Sequence, residues 1–470
     1  MRFSGVNTLK KDMTMDLCSG PIMGNLLRFS IPLMLSGILQ LLFNSADIIV
    51  LGQFAGGNAM AAVGSTSSLN NLIVNIFLGL SAGGSVVVAQ YFGMKSDKDL
   101  EESVHTAILL GLISGLILVV VGLLLAEPML ALMGTTPDLI DQAVLYMRII
   151  FAGMPSIMVY DFGAGILRAV GDTRRPLLYL SLGGVVNVAL NLFFVLAFDM
   201  GVAGVAIGTV VSQTLAAFLV VHCLVKTEAS YGIRLRRLRI VKAKLIRILR
   251  IGIPTGVQGA VFSISNVLIQ SAINSFDSST IVGGNTASVN IENFVYTAMN
   301  AVYQGSLTFT SQNVGAHNVK RIVPILWWSS LCVTAVGLLL GVTAVVFGRA
   351  LLGIYSPDPQ IIAYGFDRLK LIGLTYFLCG LMDTVCGCIR GLGASITPTL
   401  ISLTGACALR IVWIYTIFAS TRSLFMLYLS YPVSWLVTYI ANLVCFAITY
   451  RKWKRRALAS TTIVDGYTVG

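Results

Sequence analysis

Residues 31–64 read IPLMLSGILQLLFNSADIIVLGQFAGGNAMAAVG, and this stretch decides the fold class. A helix needs about 20 consecutive, mostly apolar residues to cross a bilayer, and the stretch supplies them. It also carries one ionisable side chain, Asp47, about two thirds of the way along its hydrophobic part. A carboxylate at that depth costs roughly 2.5–3.5 kcal/mol on insertion scales, so it must face protein or a wet cavity, where a proton or metal ion neutralises it. Asp47 is therefore a candidate functional residue. The alternative is a carboxylate that only caps the outer end of the helix beside Gly52.

The composition extends that reading outward. Of 470 residues, 56% are hydrophobic and 11% charged, with a mean hydropathy of +0.85. These values indicate an integral membrane protein. The N-terminus has no apolar core followed by a small-residue cleavage site, so no removable signal peptide is expected. The eight cysteines lie almost all in apolar segments without metal-ligand spacing and read as free thiols. Apolar windows predict helices near 26–51, 65–92, 104–126, 138–168, 176–198 and 202–226, then near 246–274, 284–314, 322–348, 359–390, 397–419 and 424–450.

Twelve spans put both ends on one side, and the charges say which. Most of the 32 basic residues fall in the termini and in alternate connections, from Arg2, Lys10, Lys11 and Arg28 to the tail RKWKRR, whereas the opposite loops hold only Arg349 and Arg422. Positive residues gather on the cytoplasmic face, so the net charge of +12 reflects topology and anionic lipid, and no nucleic-acid partner is expected. The expected organisation is an N-terminal segment 1–25, a first lobe 26–226, a basic linker 227–245, a second lobe 246–450 and a basic tail 451–470. The arginine-rich part of the linker is expected to lie along the cytoplasmic membrane surface.

The two lobes repeat each other. A fixed shift of 222 positions pairs Pro32 with Pro254, Arg28 with Arg250, Gln90 with Gln312, Gly93 with Gly315, Asp161 with Asp383, Arg168 with Arg390 and Pro176 with Pro398. Six spans separate equivalent residues, so the lobes have the same orientation and a pseudo-two-fold axis along the membrane normal, an arrangement suited to rocking two bundles about a central site. The same register shows where the halves part. Asp47 falls opposite Ile269, Asn70 opposite Glu292 and Val188 opposite Arg410.

These differences give the candidate sites. Asn187 and Asn191 are one turn apart on one helix face. Counting 1.5 Å per residue, they share the outer half of the first lobe with Thr209 and Asp47, a set of oxygens able to hold a proton or a hard cation. Alternatively, the asparagines only join helices by hydrogen bonds. In the second lobe Glu292 and Arg410 both lie near the midplane. They form either a structural pair or a substrate cavity in which Glu292, with Asn293 and Thr297, meets a cationic substrate or a proton. Asp161 and Asp383 each precede an arginine by seven residues, and their duplication suggests a gating or architectural role common to both lobes. No nucleotide-binding loop or catalytic constellation is present, so neither enzyme activity nor a cofactor is expected.

With the repeat, ILRAVGDTRRP, its partner CIRGLGASITP and QNVGAHN in hand, the chain resembles the multidrug and toxic compound extrusion (MATE) family from about residue 20 to residue 456. The resemblance implies a V-shaped pair of six-helix bundles in a bacterial-type inner membrane. It also implies a monomer exporting cationic or amphipathic organic compounds in exchange for inward H+ or Na+. Asp47 would be the coupling residue, with Asn187, Asn191 and Thr209 completing its cation site, and Na+ at Asp47 is the one metal considered. Where many members carry a second acid in the fifth helix, this chain has Asn191; where one branch has an acid early in the seventh helix, it has Phe262. Asp383 lies about one turn from that branch's tenth-helix acid, whose place is nearer Cys379. The rival readings are a lipid-linked sugar flippase of the wider superfamily and, from another class, a channel.

Overall fold

The computed structural model describes residues 14–132 and 135–465, so Arg2, Lys10 and Lys11 lie outside the described residues. The first half comprises α1 (Ile22–Val50), α2 (Gly57–Met94), α3 (Asp97–Leu132), α4 (Pro137–Ala152), α5 (Met154–Ala169), α6 (Arg174–Phe198) and α7 (Gly201–Lys226). The second comprises α8 (Lys242–Asn274), α9 (Ser279–Gly315), α10 (Val319–Val346), α11 (Gly348–Tyr355), α12 (Pro359–Thr375), α13 (Phe377–Gly391), α14 (Ile396–Ser402), α15 (Leu409–Trp413), α16 (Ala419–Thr421) and α17 (Leu424–Asp465). There is no strand among the described residues.

Among the described residues nine helices, counting Ile396–Thr421 as one, are individually long and apolar enough to cross a membrane, and two bent pairs bring the number to eleven. The protein is a multi-pass membrane protein. The long helix α9, expected from sequence to span, is not among those eleven. It is rich in Ser, Asn, Thr and Gln, many of them buried, so protein rather than lipid surrounds much of it.

The bent pairs correct the two longest windows. Residues 138–168 were expected to form one helix, and instead α4 and α5 meet at 50°, while α12 and α13 meet at 42°. In the first lobe local chemistry explains the bend: Gly153 ends α4, Pro155 lies in the first turn of α5, and proline cannot continue the helical bonding behind it. In the second lobe the equivalent of Met154 is Tyr376, with neither glycine nor proline beside it. Packing therefore sets the second bend, and the repeat conserves geometry without conserving its local cause.

Among the described residues three π-helical stretches also depart from regular geometry: Leu51–Ala55 directly after α1, and Leu403–Ala408 and Ile414–Phe418 on either side of α15. Such turns are uncommon and concentrate at functional sites.

The halves join along α2 and α8. Each carries a G-x-x-x-G pair, Gly79 with Gly83 and Gly252 with Gly256, and a Cβ at any of the four would strike backbone of the facing helix. In lipid, where apolar contact alone gives little drive to associate, small residues let two helices approach closely. At the end of this seam the symmetry is reciprocal: a Cβ on Gly93 would meet the carbonyl of Gln312, and one on Gly315 the carbonyl of Gln90. Gln90 donates to the Gly391 carbonyl at 2.9 Å, and Gln312 donates to the Ala169 carbonyl at 2.7 Å. Gly391 and Ala169 are themselves 222 positions apart.

The segment before α1 straps this end. The Leu17 amide donates to Gln312 at 3.3 Å, Asn313 donates to the Leu17 carbonyl at 3.1 Å, and Arg321 donates to the carbonyls of Gly20 and Ser19. The linker between α7 and α8 closes on α3: the Arg234 amide donates to His105 at 3.0 Å, and Arg239 pairs with Glu102 at 2.9 Å. His105 thus holds a structural contact, and much of the linker is anchored to the first lobe.

Candidate functional site

Three helices bring the first-lobe candidates together. Asp47 lies one turn before the π-helical end of α1 and is 9% exposed. Asn191 on α6 donates through Nδ2 to one carboxylate oxygen at 2.5 Å, and the Thr209 hydroxyl on α7 lies 3.4 Å from the other. Asn187 donates to Thr209 at 3.2 Å. All four residues form one network, and Asp47 is not an end cap exposed to solvent.

Two details define what this network can hold. Asn191 Oδ1 is buried and accepts no hydrogen bond among the described residues, leaving an oxygen lone pair free beside the carboxylate. The adjoining cavity, lined by Gln40, Asn44, Asp47, Asn187 and Thr209, measures about 30 Å³. That is room for about one or two waters, whereas ligand pockets run to several hundred Å³. The space left between these side chains is of the size of a water or a small ion. No cluster of three or more His, Cys, Asp or Glu able to hold a metal is present among the described residues.

The second lobe is built differently. Glu292 is buried, but its partner is Arg368, not Arg410. Arg368 holds both carboxylate oxygens in a fork, Nε to Oε1 at 2.9 Å and Nη2 to Oε2 at 2.8 Å. Asn285 accepts from Arg368 at 2.8 Å, and Ser288 donates to Glu292 at 2.9 Å. A bidentate arginine–carboxylate pair with further hydrogen bonds is how two buried charges are made affordable in an apolar interior. Asn293 is exposed on another face of α9, and Thr297 packs against Gly37 of α1.

Sequence reasoning passed over Arg368, grouping it with no site. A signal existed. Gly365, Arg368, Leu369 and Ile372 form the buried stripe of α12, at the spacing of one helix face, while Lys370, two residues on, points the other way and is exposed.

Arg410, 4% exposed, donates through Nε to Ser434 at 2.8 Å. Its guanidinium lies 4.4 Å from the centre of the Tyr431 ring and 5.5 Å from that of Trp435. Asp161 and Asp383 lie half-buried on α5 and α13, and neither forms an ion pair with the arginine seven residues on among the described residues. Arg390 instead donates to Tyr303 at 2.8 Å and Gln258 at 2.7 Å. The eight cysteines are free.

Comparison with known proteins agrees with this architecture. The MatE family model matches residues 32–193 and again 254–416, two blocks whose starts differ by the repeat shift. The chain is 29% identical over 388 residues to a probable multidrug resistance protein, YoeA, of Bacillus subtilis, covering 80% of this chain and 82% of that protein. It is 27% identical over 397 residues to a second from the same organism, YpnP, covering 84% and 88%. Among solved structures, a crystal structure of MATE in the bent conformation superposes with a TM-score of 0.87 at 21% identity, covering 94% of this chain and 98% of that one.

Proposed function

Because the chain belongs to the MatE family, whose model matches well over half of it, we propose that it is a secondary active exporter of cationic or amphipathic organic compounds. Protons flowing inward drive it by alternating access, and Asp47 is the coupling carboxylate. The multidrug names of YoeA and YpnP support the substrate class. The clustering of arginine and lysine at the strapped end supports a cytoplasmic location for that end.

The observation that carries this reading is the pairing of Asp47 with Asn191 beside an ion-sized cavity. An amide can answer either charge state of a carboxyl group: its N–H₂ donates to a carboxylate, and its oxygen accepts from a carboxylic acid. Asn191 already offers N–H to Asp47 and holds a spare oxygen close by, so protonation requires only a reorientation of one side chain. Dehydrated Na+ wants several oxygen ligands and is helped by more than one negative charge, and here Asp47 is the one acid in the network. One inward proton at 100 mV is worth about 2.3 kcal/mol, roughly a fifty-fold gradient of a neutral substrate. Exchange for a monovalent cation would be electrically neutral and would use the pH gradient instead.

The test is dye efflux in proteoliposomes with imposed gradients. Efflux is expected with an inward pH gradient alone. At fixed pH, with protonophore present, an inward Na+ gradient should drive none, and sustained transport there overturns the proton assignment.

A further inference from the structure

Arg410 is a buried charge of the second lobe that no acid neutralises among the described residues. Glu292 is fully engaged by Arg368, and Arg410 takes part in no ion pair among the described residues. A guanidinium carries five N–H donors in a planar fork, and only Nε is used, toward Ser434. The aromatic faces of Tyr431 and Trp435 offset part of the cost of burying the cation. They offer nothing to the N–H groups on Nη1 and Nη2.

Two further observations single out the place. The short helix α15 that carries Arg410 is bounded by π-helical turns on both sides, a deformation frequent at functional sites. The rings also continue beyond the guanidinium: Tyr431 packs on Trp435 with centroids 5.6 Å apart, Trp435 on Tyr376 at 5.2 Å, and Tyr376 on Tyr296 at 6.3 Å. Under the 222 shift Tyr431 is the equivalent of Thr209, so this cage lies near the second-lobe counterpart of the Asp47 network. One lobe presents an acid there and the other a base.

We propose that Arg410 and its ring ladder form a subsite for the oxyanion, a carboxylate in the first instance, of a flat aromatic molecule. The free fork takes both oxygens side by side, the geometry in which arginine binds carboxylates best, and the tyrosine and tryptophan faces take the aromatic body. Tyr431 and Trp435 lie over the guanidinium, and admitting a ligand to its N–H edge requires one of the rings to turn aside. The proposal rests on the exporter reading and refines it: preferred cargo is amphipathic with an acidic group, bound in the second lobe while the first lobe handles the coupling ion.

The experiment is equilibrium binding to the purified full-length protein in detergent, read by fluorescence polarisation with rhodamine B, a zwitterion bearing a free carboxylate, and with its ethyl ester. The wild type is expected to bind the acid at least tenfold more tightly than the ester. Arg410→Met should abolish that preference by weakening the acid alone, and Arg410→Lys should restore only part of it. If the wild type does not favour the acid, including by binding neither dye, the subsite is overturned without recourse to any variant. The same follows if a folded Arg410→Met protein keeps the wild-type ratio. Binding needs no gradient, so failure of the exporter reading would appear separately, as absent efflux in vesicles with the acid preference unchanged.

Discussion

Gln90 and Gln312 occupy equivalent places in the two lobes, as do Asp47 and Ile269, and only the first pair shares its chemistry. The glutamines meet across the seam and make the same hydrogen bond in opposite directions. Asp47 has no acidic counterpart, and Arg410 has no basic one. The contrast is instructive because both pairs lie on one scaffold. The scaffold repeats where the lobes must fit each other, and it diverges where each lobe must hold something of its own. In the first lobe that is a single acid in a hydrogen-bonded network; in the second it is a neutralised pair and a lone base.

The sharpest way to break this contrast is Asp47→Asn, which keeps the side chain's volume and removes its charge. Gradient-driven efflux is expected to fall at least a hundredfold while the protein inserts and purifies normally. A transport rate near wild type would leave the first lobe without a special role. Next in size is Glu292→Gln, which strands Arg368 as an unpaired buried cation. A loss of about 3–5 kcal/mol is expected, read as a lower melting temperature of the purified protein. Adding Arg368→Met should recover most of the loss, whereas adding Arg410→Met should not, and the opposite ranking would reassign the pair.

Where the lobes match, matched substitutions should hurt equally. Gly93→Val and Gly315→Val each push a side chain into a carbonyl of the facing half, an overpacking cost of about 1–3 kcal/mol. Melting temperatures that differ strongly between the two variants would show that the seam is less symmetric than its hydrogen bonds. The smallest effect sharpens the contrast from the other side. Thr209→Val removes one donor to Asp47, worth about 1 kcal/mol, and should slow proton-driven efflux by roughly fivefold. Tyr431→Phe, its counterpart, should leave proton coupling unchanged in the same assay.

Much of this was legible in the sequence because intramembrane polarity is costly and therefore placed. The register of 222 located the repeat, and the depths of Asp47, Asn187, Asn191 and Thr209 along their helices put them in one layer of one lobe. Depth alone does not give rotation about a helix axis, and this is where Glu292 was paired with the wrong arginine. Arg410 and Arg368 are both buried in the second lobe, but only the buried stripe of α12 aims Arg368 at Glu292. The bend at Tyr376 and the π-helical turns around Arg410 were not readable either. They arise from packing between helices, and no proline or glycine at Tyr376 announces the bend.

The strap before α1 has a consequence for how the protein is made. Leu17 is among the first described residues to leave the ribosome, and its partners Gln312 and Asn313 follow 295 and 296 positions later. During that interval the helices of the first lobe can insert, and α3 to α7 can pack on one another, because those contacts lie within the lobe. Leu17 must wait, exposed, until α9 and α10 have been synthesised. Docking of the strap is thus a late event of assembly, a contact of long sequence separation that forms slowly, and one that a truncated nascent chain cannot make. A protease acting near Leu17 would cut such a chain and spare the finished protein, so resistance at the N-terminal end would report completion at the far one.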